Sequence, residues 1–184
     1  PRPVPADATG LVQLCAHLGQ VTADIAAIVD GFVSLAVAAD SSLEQLARLT
    51  GYRFGGEAES GKLIFHDLMR RERVASQIVP ELGLVLLHCR TAGVTSPVFA
   101  LLSPVGGCFR RGPLRSVKAG VVMLIPDVDQ VGRTELMGGL SAALIEADGF
   151  LGDIVRHRLD RVQARLRDIL RQFLIREFEH ALKG

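Results

Sequence analysis

The chain has five histidines, His17, His66, His88, His157 and His180. No two stand at the spacing of a helical ligand pair, and Cys15, Cys89 and Cys108 match no zinc pattern, so no metal site is expected. Gly106-Gly107 lacks the Lys-Ser/Thr that completes a phosphate-cradling loop. Ser96 and Ser103 sit beside prolines without a nucleophile elbow. His88 stands apart. It ends the apolar run Leu84-Val85-Leu86-Leu87 and is followed at once by Cys89-Arg90-Thr91. Strand ends are where a layered α/β fold exposes reactive groups. A neutral imidazole near pH 7 is a good nucleophile toward a phosphoryl group, provided its other nitrogen is held in one tautomer. The new phosphate then needs cationic donors, which the planar fork of arginine supplies best. Arg90 is adjacent in sequence, and Arg71 and Arg73 end the preceding helix. Two readings stay open at this point: a packed histidine at a strand end, or a phosphoryl acceptor.

The elements around His88 follow from apolar spacing. Pro1 to Gly10 has three prolines and reads as a linker. Leu14, Leu18, Val21, Ile25, Ile28, Phe32 and Leu35 recur at helical spacing, which predicts one helix over Leu11 to Ala39. The four-and-three steps also suit a seam against another helix, including one in a homodimer. Ser42 and Gln45 form a capping-box pattern ahead of a second helix. Gly51 to Gly61 reads as a loop, and a third helix runs from about Lys62 to Val74. Strands are expected over Leu82 to His88, Val98 to Leu102 and Val117 to Ile125. A helix follows from Arg133 to Ala147. The last segment, 154–184, is an amphipathic helix or bent pair ringed by arginines. The fold class expected is α/β, layered α+β, with a mixed β-sheet flanked by helices.

Composition narrows the function classes. Apolar residues are 48% of the 184, enough for a core, and the net charge of +1 argues against nucleic acid contact from this segment. No apolar run is expected to reach membrane-spanning length, so no membrane insertion is expected. An odd number of cysteines points to a reduced, cytoplasmic setting. The chain opens on Pro1, with no secretory signal, and so reads as a piece of a longer protein.

The stretch Leu68-Met69-Arg70-Arg71-Glu72-Arg73-Val74-Ala75-Ser76-Gln77, followed by Gly83-Leu84-Val85-Leu86-Leu87-His88, resembles the mannitol/fructose-type enzyme IIA family of the sugar phosphotransferase system. The resemblance continues through Arg90-Thr91, Val94, Pro97-Val98-Phe99-Ala100, the strand to Pro126 and the helix with Leu140 and Ala143-Leu144. It covers roughly residues 11 to 170, with residues 11–60 as a helical lead-in. It implies that His88 takes a phosphoryl group from the phosphocarrier protein HPr or a related donor, with no other cofactor and no turnover of a substrate. It implies that Arg71 lies against the phosphohistidine, and that Arg90, Thr91, Leu86, Leu87 and Val94 take part in donor docking.

The sequence departs from the family at Leu87, Cys89 and Arg133, and by about one extra residue in the connection near Pro80. Leu87 stands where family transporters carry proline, and Cys89 where a small residue follows the histidine. Arg133 stands where many members have a second histidine, and would hold phosphate there. These departures resemble more closely the enzyme IIA-like domain of mannitol-operon and antiterminator-type transcription regulators. In such a protein His88 would report phosphotransferase traffic, with an enzyme IIB-like domain as a further partner. The alternatives are a stand-alone phosphocarrier of a mannitol/fructose transporter, or a degenerate interaction and dimerisation module.

Overall fold

A computed structural model describes residues 8–56, 58–128, 131–146 and 149–183. In chain order these form α1 (Ala8–Asp30), β1 (Val33–Val37), α2 (Leu43–Phe54), α3 (Ala58–Val74), β2 (Ile78–Val79), β3 (Leu84–Thr91), β4 (Val98–Pro104), β5 (Ala119–Pro126), α4 (Val131–Glu146), α5 (Phe150–Val155) and α6 (Leu159–Lys183). The strands make a mixed sheet in the order β1-β4-β5-β3-β2. β1 runs parallel to β4 and β3 parallel to β5, while the β4–β5 and β2–β3 pairs are antiparallel. The expected layered class, a mixed sheet flanked by helices, is the class observed.

Both sheet faces are covered, which is why the central strands read as continuous apolar runs. Side chains alternate across a strand. On one face Leu84, Phe99, Leu101, Val121 and Met123 pack with residues of α1, α4, α5 and α6. On the other, Val85, Leu87, Cys89, Ala100, Leu102, Val122 and Leu124 pack with Leu46 and Ala47 of α2 and Ile64 and Leu68 of α3.

Several expected boundaries move. The helix expected over Leu11 to Ala39 stops at Asp30, and Val33–Val37 is an edge strand. The Gly31 N–H still donates to the Ala27 carbonyl, but Val33 to Val37 pair in register with Ala100 to Pro104. Phe32 stacks on Phe99 at 6.3 Å, so the helical spacing of Phe32 and Leu35 is met by a strand instead. Tertiary pairing overrides local periodicity here. The loop expected over Gly51 to Gly61 is mostly helix, because α2 runs through to Phe54 and α3 starts at Ala58. These glycines let two helices touch: a Cβ on Gly51 would stand 2.3 Å from the Gly61 carbonyl oxygen. The Ser42–Gln45 capping box is present, at 3.2 and 2.7 Å.

The C-terminal segment is a bent pair, α5 and α6, and His157 at the bend has φ 53°. Of the expected linker, residues 1–7 lie outside the described residues, and Ala8 to Gly10 already belong to α1. The expectation that no apolar run reaches spanning length also needs correction. Gly10–Asp30 is long and apolar enough by length and composition, with mean hydropathy 1.3. Within it, His17 is engaged by Glu177 and Asp24 by Arg133.

Candidate functional site

β3 is where the sheet leaves an edge incomplete. β2 supplies only Ile78 and Val79 opposite Val85 and Leu84. One residue further on, the Leu86 N–H donates to the Gln77 carbonyl at 2.7 Å. Beyond that the backbone partner ends, and a side chain takes over. The Gln77 amide oxygen accepts the His88 N–H at 2.8 Å. The other end of that amide donates to the Leu68 carbonyl at 3.2 Å, and the Gln77 N–H donates to a Glu72 carboxylate oxygen at 2.6 Å. Gln77 is buried, so this network ties the end of α3 to the open edge of β3 with its polar groups paired. Sequence reasoning gave Gln77 no role. Its only signal was its place between the helix end and the short run before Gly83.

The half-buried imidazole is held from both sides. Nδ1 lies 3.3 Å from the Leu86 carbonyl, and the Arg71 Nε–H donates to Nε2 at 3.3 Å. A carbonyl only accepts and a guanidinium only donates, so the proton sits on Nδ1 and the lone pair on Nε2. Burial lowers the imidazole's pKa from its ordinary 6.5; the Leu86 carbonyl pulls it back up, and the Arg71 charge lowers it further. The ring is therefore neutral at pH 7 with a directed lone pair. That is a nucleophile beside a cation able to meet the anion that its attack creates.

The other expected site residues divide. Arg90 is exposed, on the same face of β3 as His88, and its guanidinium donates to the Thr134 hydroxyl on α4. Leu86 is partly buried against the α1/α4/α6 layer. Leu87 is 0% exposed, on the opposite face of the strand, and cannot rim a depression around the ring. Val94 belongs to that same opposite layer. Thr91 is buried and its hydroxyl accepts from the Gly93 N–H, so it shapes a turn rather than a docking surface. Arg133 needs the largest correction. It forks onto Asp24 of α1, Nε to Oδ2 at 2.8 Å and Nη2 to Oδ1 at 3.1 Å, with both side chains buried. Gln20 donates to the same carboxylate at 2.9 Å. Among the described residues, Arg71 is the arginine hydrogen-bonded to His88. The Cys89 thiol is pushed up to about 12, first by burial and then by Asp67, with Arg70 opposing, which leaves it inert.

No protein-family model matches the sequence, and no curated protein matches it. Among solved structures, the chain is similar to the crystal structure of nitrogen regulatory protein IIA-Ntr from Neisseria meningitidis, with a TM-score of 0.54 and 18% sequence identity. The match spans 77% of this chain and 97% of that one. At this identity the likeness is one of fold alone.

Proposed function

We propose that this chain is an enzyme IIA-like regulatory domain of the phosphotransferase system, with His88 as its phosphoryl acceptor. The observation that carries the reading is the two-sided hold on the imidazole, which leaves Nε2 as the one ring nitrogen with a lone pair, facing Arg71. The shared fold with a nitrogen regulatory protein supports a regulatory role. The donor is HPr or a related phosphohistidine protein, and the setting is cytoplasmic.

In the reaction, the Nε2 lone pair of His88 attacks the donor's phosphorus. The donor's P–N bond breaks, and its electron pair returns to the donor imidazole. The His88 ring gains positive charge, which the Nδ1–H bond to the Leu86 carbonyl holds. The Arg71 guanidinium gives up the Nε2 lone pair and takes a phosphoryl oxygen. The phosphohistidine then acts as a switch that places a dianion at the β3 edge. Control of a mannitol-operon-type transcription regulator fits the departures at Leu87, Cys89 and Arg133 better than relay to a transporter does. Arg133 stands where a relay histidine would, and it is committed to Asp24.

Incubation with phosphoenolpyruvate, enzyme I and HPr, followed by peptide mass spectrometry, tests the reading. Phosphate on His88, lost in His88→Ala, is expected. A protein left unlabelled by this chain of donors overturns HPr as the donor, and label that survives the substitution overturns His88 as the acceptor. Efficient onward transfer to an enzyme IIB domain would favour the transporter relay over the regulatory switch.

A further inference from the structure

Arg71 alone is a thin answer to a phosphoryl group carrying between one and two negative charges. Four other arginines belong to the elements around His88, and Arg73, two helix positions on from Arg71, leaves α3 on another face. Arg70 is paired with Asp67 at 2.8 Å on the exposed side of α3. Arg133 is forked onto buried Asp24, and its departure would strand a buried carboxylate. Arg90 is different. It lies two residues beyond His88, so both side chains leave β3 on the same face, roughly 7 Å apart along the strand. An extended arginine spans that distance. Its present partner is the neutral hydroxyl of Thr134, and among the described residues no carboxylate pairs with it. Arg90 is exposed, so water can replace it on Thr134 once it leaves. Glu72, on α3, is occupied by the Gln77 N–H.

We infer that Arg90 is a second phosphate-holding residue, parked on Thr134 while His88 is bare, that moves onto the phosphoryl oxygens when His88 is modified. The inference rests on the phosphoacceptor reading above and adds to it a named residue and its resting position. The move exchanges a bond to a neutral group for a charge-assisted one, whereas moving Arg133 would break a buried ion pair. It also releases the hydrogen bond that ties β3 to the first turn of α4, the helix that holds Arg133 and through it α1.

Phosphoramidate supplies the test without any carrier protein. The His88 Nε2 lone pair forms the P–N bond, and ammonia departs with the electron pair of the reagent's own P–N bond. The second ionisation of the resulting phosphohistidine is then followed by 31P NMR against pH. A guanidinium on the phosphoryl oxygens favours the dianion. Arg90→Gln should therefore raise the titration midpoint by about one pH unit, Arg90→Lys should restore part of it, and Thr134→Val should not raise it. An unchanged midpoint in Arg90→Gln, or an equal rise in Thr134→Val, overturns the role of Arg90 and leaves the phosphoacceptor reading standing. Label from phosphoramidate with the expected shifts, but none from HPr, supports Arg90 and overturns the donor assignment alone. An unlabelled His88 overturns both.

Discussion

Arg133 and Arg71 each reach a side chain of another element, and they do opposite things. Arg133 meets Asp24 109 residues away in a buried, two-pronged ion pair to which Gln20 adds a third bond. Arg71 meets His88 with a single N–H, on a half-buried ring, at an edge where the sheet's backbone pairing has run out. The first pair is saturated, since charge cancels charge and each breaks the other's isolation. The second is a cation against a neutral base whose lone pair it only borrows. A saturated pair fixes where α1 and α4 sit. An unsaturated one can exchange its partner for an incoming anion, and that capacity makes the β3 edge a site.

The contrast gives substitutions of very different size. Arg133→Ala should destabilise the protein by about 3–5 kcal/mol, because Asp24 remains buried without its partner. Urea denaturation measures this, and the double change Asp24→Leu/Arg133→Met should recover most of the loss if buried charge is the cause. Arg71→Ala should cost no more than about 1.5 kcal/mol of stability, for one hydrogen bond. Phosphoryl acceptance at His88 should nevertheless fall roughly 100- to 1000-fold, as when one transition-state donor is removed. Equal effects of the two single changes on stability would erase the distinction between them.

A smaller effect lies in the pH dependence of stability. The unfolded chain protonates this histidine near 6.5, and the folded protein does so only at lower pH because its value is lowered. Between those two values the unfolded state binds the extra proton, so stability falls as pH drops through this window. Urea midpoints at about pH 7.5 and about pH 5.5 should therefore differ less for His88→Gln than for the parent protein. The smallest expected effect is a silent one. Ellman's reagent should label exposed Cys15 and leave Cys89 unlabelled until denaturant is added. Early labelling of Cys89 would mean that the layer beneath His88 opens more readily than its packing implies.

Much of the site was legible because its parts are close in sequence. Arg71 and His88 are 17 residues apart, joined by one helix end and one short strand, and motif spacing records such proximity. The docking role of Val94, beyond β3, fails because its side chain packs into the α2/α3 layer, and that of Leu87 for a reason already written in the strand. Side chains alternate, so Leu87 faces away from its neighbour His88. Arg133 matches the family position of a second histidine, and its actual partner, Asp24, lies on a distant helix that no local pattern connects to it. β1 was hidden because Phe32 and Leu35 extend a helical repeat that only pairing with β4 interrupts. Gly51 and Gly61 read as loop residues because spacing does not distinguish a glycine that turns the chain from one that lets two helices touch.

The central claim is that Nε2 of His88 carries the reactive lone pair while Nδ1 is fixed as a donor to the Leu86 carbonyl. Long-range 1H–15N correlation of the His88 ring, before and after phosphorylation, tests this directly. The account predicts an Nδ1–H tautomer in the bare protein and phosphorus bonded to Nε2 in the modified one. An Nε2–H tautomer, or phosphorus on Nδ1, would contradict it.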